Sequence, residues 1–137
     1  GGARQPGMTG QVKEEILTRA GELGVRVEKG TVRFRPTLLQ RGELLDESAV
    51  YEYFDVTGEC RRLDLDPGML AFTYCQVPVI YERTSGEPWL EVDLSDTSTR
   101  RMKGDGLDAE LSASLFSRSG HIQRIRVGIR ADQLQAP

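Results

Sequence analysis

Residues 60–81, CRRLDLDPGMLAFTYCQVPVIY, are the one place where a long apolar run meets a clear turn signal. Asp66-Pro67-Gly68 offers a short acidic side chain, a φ already fixed by the proline ring and a glycine that tolerates positive φ, so the chain reverses there. The expectation is a hairpin with Pro67-Gly68 as its loop. In that register Leu65 faces Leu70, Leu63 faces Phe72, Arg61 faces Tyr74 and Cys60 faces Cys75, which collects Leu63, Leu65, Leu70 and Phe72 on one core face.

Upstream of this stretch, Tyr51 to Asp55 reads as a strand, and Asp55-Val-Thr-Gly58 as a type I turn with glycine placed for a bulge. Val25 and Val27 alternate with Arg26 and Glu28, Lys29-Gly30 makes a two-residue turn, and Val32 and Phe34 continue the alternation as a second short hairpin. Between the two hairpins, Pro36 to Leu45 holds no clean period and reads as a helical turn or an irregular crossover. Nearer the start, Val12, Ile16, Ala20 and Leu23 fall at helical spacing between an N-cap candidate, Thr9, and a C′ candidate, Gly24. The spacing predicts one amphipathic helix over Thr9–Leu23. Residues 1–8 are small, polar and aperiodic, as a disordered lead-in or an expression remnant would be, and 9–137 is expected to form a single β-rich domain.

Downstream, Pro78 cannot donate to a ladder and predicts an edge or a bend between Gln76 and Val79. After a turn at Thr84-Ser85-Gly86, Leu90, Val92 and Leu94 alternate with Glu91 and Asp93, the pattern of a sheet with one wet face. Asp96 to Thr99 turns the chain again. Leu107, Ala109, Leu111, Ala113 and Leu115 occupy every second position and predict a strand, with a turn at Ser117–Gly120 and a return strand carrying Ile125, Val127 and Ile129 between Arg124, Arg126 and Arg130. About nine short strands after one helix predict a mainly β fold: an antiparallel β-sandwich or barrel-like sheet with one N-terminal amphipathic helix. The expected core includes Leu63, Leu65, Leu70, Phe72, Leu111, Leu115, Ile125 and Val127.

The chain has 137 residues, a net charge of −3 and basic and acidic residues interspersed, which favours neither nucleic acid nor an anionic membrane surface as a partner. Apolar runs are strand-sized and no charged stretch followed by an apolar one opens the chain, so a cytoplasmic location is expected. Two cysteines fit neither a disulfide framework nor a zinc-ligand spacing, and no metal or cofactor is expected. Cys60 and Cys75 are read as a thiol pair, near each other and reduced.

His121 is the sole histidine, so a Ser-His-Asp triad depends on one residue that opens a strand after a turn; a structural surface histidine is the simpler reading. Acidic residues gather at Asp64/Asp66, Glu91/Asp93/Asp96 and Asp105/Asp108/Glu110, as glycoside chemistry or calcium binding would require. Each group lies at or beside a turn, where aspartate is ordinary, and none matches a calcium-loop pattern. Trp89, the single tryptophan, is expected opposite Tyr81 across the Ser85-Gly86 turn, either as a platform for a sugar ring or as a cross-strand packing pair. Arg100 and Arg101 are the nearby candidate donors to such a ligand.

The runs VRFRPTLL (32–39), LDPGMLAFTYCQVPVIY (65–81) and LDAELSASLFSRSGHIQRIRVGI (107–129) resemble the C-terminal all-β segment of large bacterial proteins related to cellobiose phosphorylases and other carbohydrate-processing (α/α)-barrel enzymes. In those proteins the catalytic acid lies in the helical barrel, so the resemblance carries no catalytic residue onto any position here. It implies a non-catalytic accessory domain, uncharacterised as to ligand, that braces or covers a larger carbohydrate-active partner, with a glycan as the further candidate partner. A free-standing weak sugar-binding module and a small enzyme using His121 or an acidic cluster are the alternatives.

Overall fold

The last strand among the described residues lies in the middle of the main sheet. The computed structural model describes residues 23–36, 44–45, 47–102 and 104–130. The lead-in, the helix expected over Thr9–Leu23 apart from Leu23, and most of the crossover from Pro36 to Leu45 lie outside the described residues. Among the described residues nine strands and one helix follow in the order β1 (Val25–Glu28), β2 (Thr31–Phe34), β3 (Ala49–Phe54), β4 (Cys60–Leu65), β5 (Met69–Tyr74), β6 (Val77–Thr84), β7 (Trp89–Leu94), β8 (Thr99–Met102), α1 (Ala109–Phe116) and β9 (Ile122–Arg130).

The described part is mainly β. Two hairpins, β1–β2 and β3–β4, accompany a five-stranded sheet of order β5-β6-β9-β7-β8. Strand β9 enters between β6 and β7, running parallel to β6 and antiparallel to β7, so the large sheet is mixed where an all-antiparallel one was expected. The parallel pairing needs a crossover, and the chain from β6 back to β9 supplies it through β7, β8 and α1. Among the described residues no sheet closes on itself into a barrel.

Expected turns form at Lys29-Gly30, Asp55–Gly58 and Asp96–Thr99, among others. Lys29 and Gly30 both take positive φ, 52° and 78°, the conformation whose twist suits a two-residue hairpin loop. Asp55 caps the β3–β4 loop by accepting from the backbone N–H of Thr57 and of Glu59, with Gly58 at φ 85°. The β7–β8 connection turns at Ser95–Ser98, where Asp96 accepts from the Ser98 N–H at 2.9 Å.

The expected central hairpin does not form. The chain turns at Asp66–Gly68, but β4 pairs with β3 and β5 pairs with β6. Leu65 and Leu70 consequently belong to two different apolar clusters. Cys60 stands opposite Phe54, and Cys75 takes part in the tight β5–β6 turn with φ 52°, so the two thiols do not face each other across a ladder. Pro78 lies inside β6, buried and opposite Thr73, and the expected bend falls just before it, as the tight turn at Cys75-Gln76. Tyr74 and Val77 flank the turn as the hydrogen-bonded pair, so the next pair, Thr73–Pro78, demands no donor from position 78, and pairing with β9 begins only at Val79.

The strand expected over Leu107–Leu115 is a helix. Asp108 accepts from the Leu111 N–H at 2.7 Å as its N-cap, and Leu111 and Leu115 are buried against the sheet while Ala109 and Ala113 face outward. Ser112, on the same buried side, accepts a hydrogen bond from the Val32 N–H at 3.0 Å and ties the helix to the β1–β2 hairpin.

Alternate residues of the large sheet feed opposite faces. On one, Leu70, Val79, Tyr81, Leu90, Val92, Ile125, Val127 and Ile129 pack with α1 and with Val32 and Phe34 of β2. The Tyr81 hydroxyl, buried there, donates to the Leu23 carbonyl, and its ring meets Phe72 edge-on at 5.2 Å. On the other face Ala71 and Ile80 pack with Tyr51 and Leu65 of the β3–β4 hairpin, Leu63 beside them half-buried. Of the expected core, Leu65, Leu70, Leu111, Leu115, Ile125 and Val127 are buried, and Leu63 and Phe72 half-buried.

Candidate functional site

Trp89 opens β7 directly opposite Gly128 of β9. A Cβ at position 128 would fall 2.3 Å from the indole Nε1 and 2.4 Å from Cε2, so the ring occupies the space that only a glycine leaves. It forms one side of a groove of about 630 Å³ that also includes Pro88, Glu87, Phe34, Arg35, Pro36 and Asp105.

The charged wall of this groove is held from behind. Arg35 Nε donates to one oxygen of Asp105, Arg33 Nη1 reaches the other at 3.3 Å, and Glu28 lies 3.4 Å from Arg35 Nη1. The backbone is pinned in the same place: the Phe34 N–H donates to the Asp105 carbonyl at 2.8 Å, and the Leu107 N–H to the Val32 carbonyl at 2.9 Å. Burial works to raise the Asp105 carboxyl, but the hydrogen bonds from Arg35 and Arg33 outweigh it and keep the group below the usual carboxylate range.

A second feature covers the part of the sheet that β3–β4 leaves open. Arg126 makes two parallel hydrogen bonds to Asp93, at 2.9 and 2.8 Å, and reaches Glu91 at 3.2 Å. Arg124 approaches Asp93 at 3.1 Å, Arg101 approaches Glu91 at 3.2 Å, and Thr99 donates to Asp93 at 2.8 Å. Burial again pushes Asp93 up, and the bonds from Arg126 and Thr99 with the charges of both arginines bring it below its ordinary value. The result is a charge ladder across β9, β7 and β8, beside a shallow pocket of about 470 Å³ lined by Thr97, Ser98, Gln123 and Arg124.

The sequence candidates fall in separate places. Trp89 is at the groove, but Tyr81 is fully buried on the other face of the sheet, with β9 lying between β6 and β7, so the expected Trp89–Tyr81 pair does not exist. Arg100 points to the helix side and pairs with Asp108 at 3.0 Å and Glu110 at 3.5 Å, while Arg101 belongs to the ladder. His121 is exposed; among the described residues its ring has no hydrogen bond to a serine or threonine hydroxyl, and its backbone N–H donates to Ser119 Oγ at 3.2 Å. Asp64 and Asp66 stand exposed on β4 and the following turn. Among the described residues no three His, Cys, Asp or Glu side chains gather closely enough to hold a metal ion.

The sequence does not single out Arg35 or Gly128, and it offers Asp105 only as a member of the acidic group Asp105/Asp108/Glu110, not as the partner of an arginine. Their partners come from strands far away in the chain, and the local sequence around each reads as an ordinary strand or turn. The ladder did leave a signal, since acidic residues alternate on the wet face of β7 and arginines on that of β9. Among the described residues no helix is long and apolar enough to cross a membrane. No known protein-family model matches this chain, and no curated protein matches it either.

Proposed function

We propose that the chain is a non-catalytic accessory β domain that braces or covers a larger carbohydrate-active protein. The observation that supports this most is the state of the carboxylates: Asp93 and Asp105 are tied to arginines and held below the usual range, while a general acid needs a raised pKa and an unengaged proton. Asp108 is spent on the helix cap and on Arg100. These groups organise the fold.

The surface offered to a partner is the outward side of β3–β4, where Val50 and Phe54 are 48% and 65% exposed beside Glu52, Arg62 and Asp64. The hairpin covers only the β5–β6 half of the sheet, and we read it as part of the second layer of a sandwich that the partner completes. The groove at Trp89 favours a second reading, a free-standing sugar-binding module. A small enzyme built on His121 draws no comparable support.

The coding frame around the chain tests the primary reading. An (α/α)-barrel region in the same frame or the adjacent gene is expected, its melting temperature falling by several degrees when this domain is deleted or when Phe54 is changed to Ser. A barrel indifferent to both changes, or no such region, overturns it.

A further inference from the structure

The groove beside Trp89 combines features that meet nowhere else among the described residues: an aromatic ring seated on backbone, two prolines and a fixed arginine–carboxylate pair in one concavity. We propose that it binds one pyranose unit of a neutral oligosaccharide, with Trp89 under the C–H face of the ring and Arg35 and Asp105 holding neighbouring hydroxyls. The proposal rests on the carbohydrate reading, in its accessory or its free-standing form, and names the ligand class and the residues that would take it.

Three physical points select this ligand. A sugar hydroxyl both donates and accepts, and the Arg35–Asp105 pair presents a donor and an acceptor side by side. Among the described residues Arg35 Nε and Nη1 are engaged with Asp105 and Glu28 and Nη2 is left as a donor, while the carboxylate retains lone pairs beyond those that Arg33 and Arg35 use. The charge disfavours the simplest competitors: among the described residues of the lining Asp105 and Glu87 outnumber Arg35, which repels an anionic ligand.

Size and rigidity agree with this. The volume of about 630 Å³ falls within the range of small-molecule sites, and every group that would touch the sugar is fixed before it arrives. Trp89 is lodged over Gly128, Arg33 and Glu28 hold the ion pair, and the Phe34 N–H to Asp105 carbonyl bond locks the two segments together. The groove is open and its polar contacts few, so affinity is expected to be weak, with a dissociation constant of about 1 mM.

The test is titration of the purified chain with cello-, laminari- and malto-oligosaccharides while following the emission of the single tryptophan, with sorbitol as an open-chain polyol control. At least one series should give a saturable change that sorbitol does not. Arg35→Gln and Asp105→Asn should each weaken binding by about tenfold without changing the circular-dichroism spectrum, whereas Glu47→Gln, outside the groove, should leave it unchanged. Ligand-observed NMR serves for Trp89→Phe, whose reporter is gone, and should show binding weakened likewise.

No saturation with any series in both fluorescence and NMR overturns the site, as does an equal response to sorbitol, or saturable binding insensitive to Arg35→Gln, Asp105→Asn and Trp89→Phe. Loss of this site alone leaves the barrel-stability result of the accessory reading untouched, and a barrel indifferent to the domain leaves the titration untouched, so the two failures are distinguishable.

Discussion

The indole of Trp89 sits where a side chain at Gly128 would be, with Nε1 only 2.3 Å from the position of the missing Cβ. Both lie on the same face of the sheet as the charge ladder, two residues along β7 and β9 from the pair Glu91 and Arg126. Gly128→Ala therefore forces the ring out of place. An overpacked methyl costs about 1–3 kcal/mol, and the tryptophan emission should shift to the red as the ring moves into water. Urea unfolding followed by fluorescence measures both; an unchanged midpoint and spectrum would mean that the indole is not seated there.

Ser112 is fully buried on α1 and accepts the Val32 N–H, a backbone donor with no water in reach. Ser112→Ala leaves that donor unpaired and should cost about 1–3 kcal/mol. Ser114→Ala, half-buried on the same helix with its hydroxyl bonded to that of the exposed Ser119, should cost well under that. Equal effects in denaturant unfolding would remove the link between helix and hairpin.

Asp93 and Asp105 both have carboxyl groups held below the ordinary value of 3.8. A group whose folded pKa is depressed stabilises the fold above its unfolded pKa, and that stabilisation is lost as pH falls through the folded value. The melting temperature should thus hold steady from neutrality to about pH 5 and decline below about pH 4. Asp93→Asn should lower the plateau and flatten the decline. Thermal melts between pH 7 and pH 2 check this, and a decline that begins above pH 5 would point to other groups.

How far the sequence could be read depends on whether the deciding interactions are local. Lys29-Gly30 and Asp55–Gly58 form the expected turns because the conformations they need are written into those few residues. Pro67-Gly68 also turns the chain, but a turn does not oblige its flanking strands to pair, and Leu65 and Leu70 face different layers. In Leu107–Leu115 the alternation hid a second period. Leu111 and Leu115 stand four residues apart behind the cap Asp108, with Leu107 four residues earlier on the same spacing, and the intervening alanines suit either reading. The insertion of β9 between β6 and β7 leaves no local trace, since a parallel pairing has no turn to announce it. The Trp89 groove follows from that insertion, because Gly128 reaches Trp89 only through it.

The cysteines give an independent check on the pairing of β4. Cys60 is exposed opposite Phe54, while Cys75 is half-buried in the β5–β6 turn, where burial raises its thiol pKa against the smaller opposing effect of Arg118. A thiol reagent at neutral pH should label Cys60 first and Cys75 slowly, since the thiolate is the reacting form. Mild oxidation should give no intramolecular bridge. Rapid, quantitative formation of one would restore the β4–β5 hairpin that the structure replaces.

Turnover by the purified chain tests the central claim of a non-catalytic domain most directly. Reducing-sugar release from a panel of β- and α-linked oligosaccharides, with and without inorganic phosphate, should not exceed the buffer blank at any pH between 4 and 8. Release that rises in proportion to protein concentration and disappears in His121→Ala or Asp66→Asn would contradict the account and make the chain an enzyme.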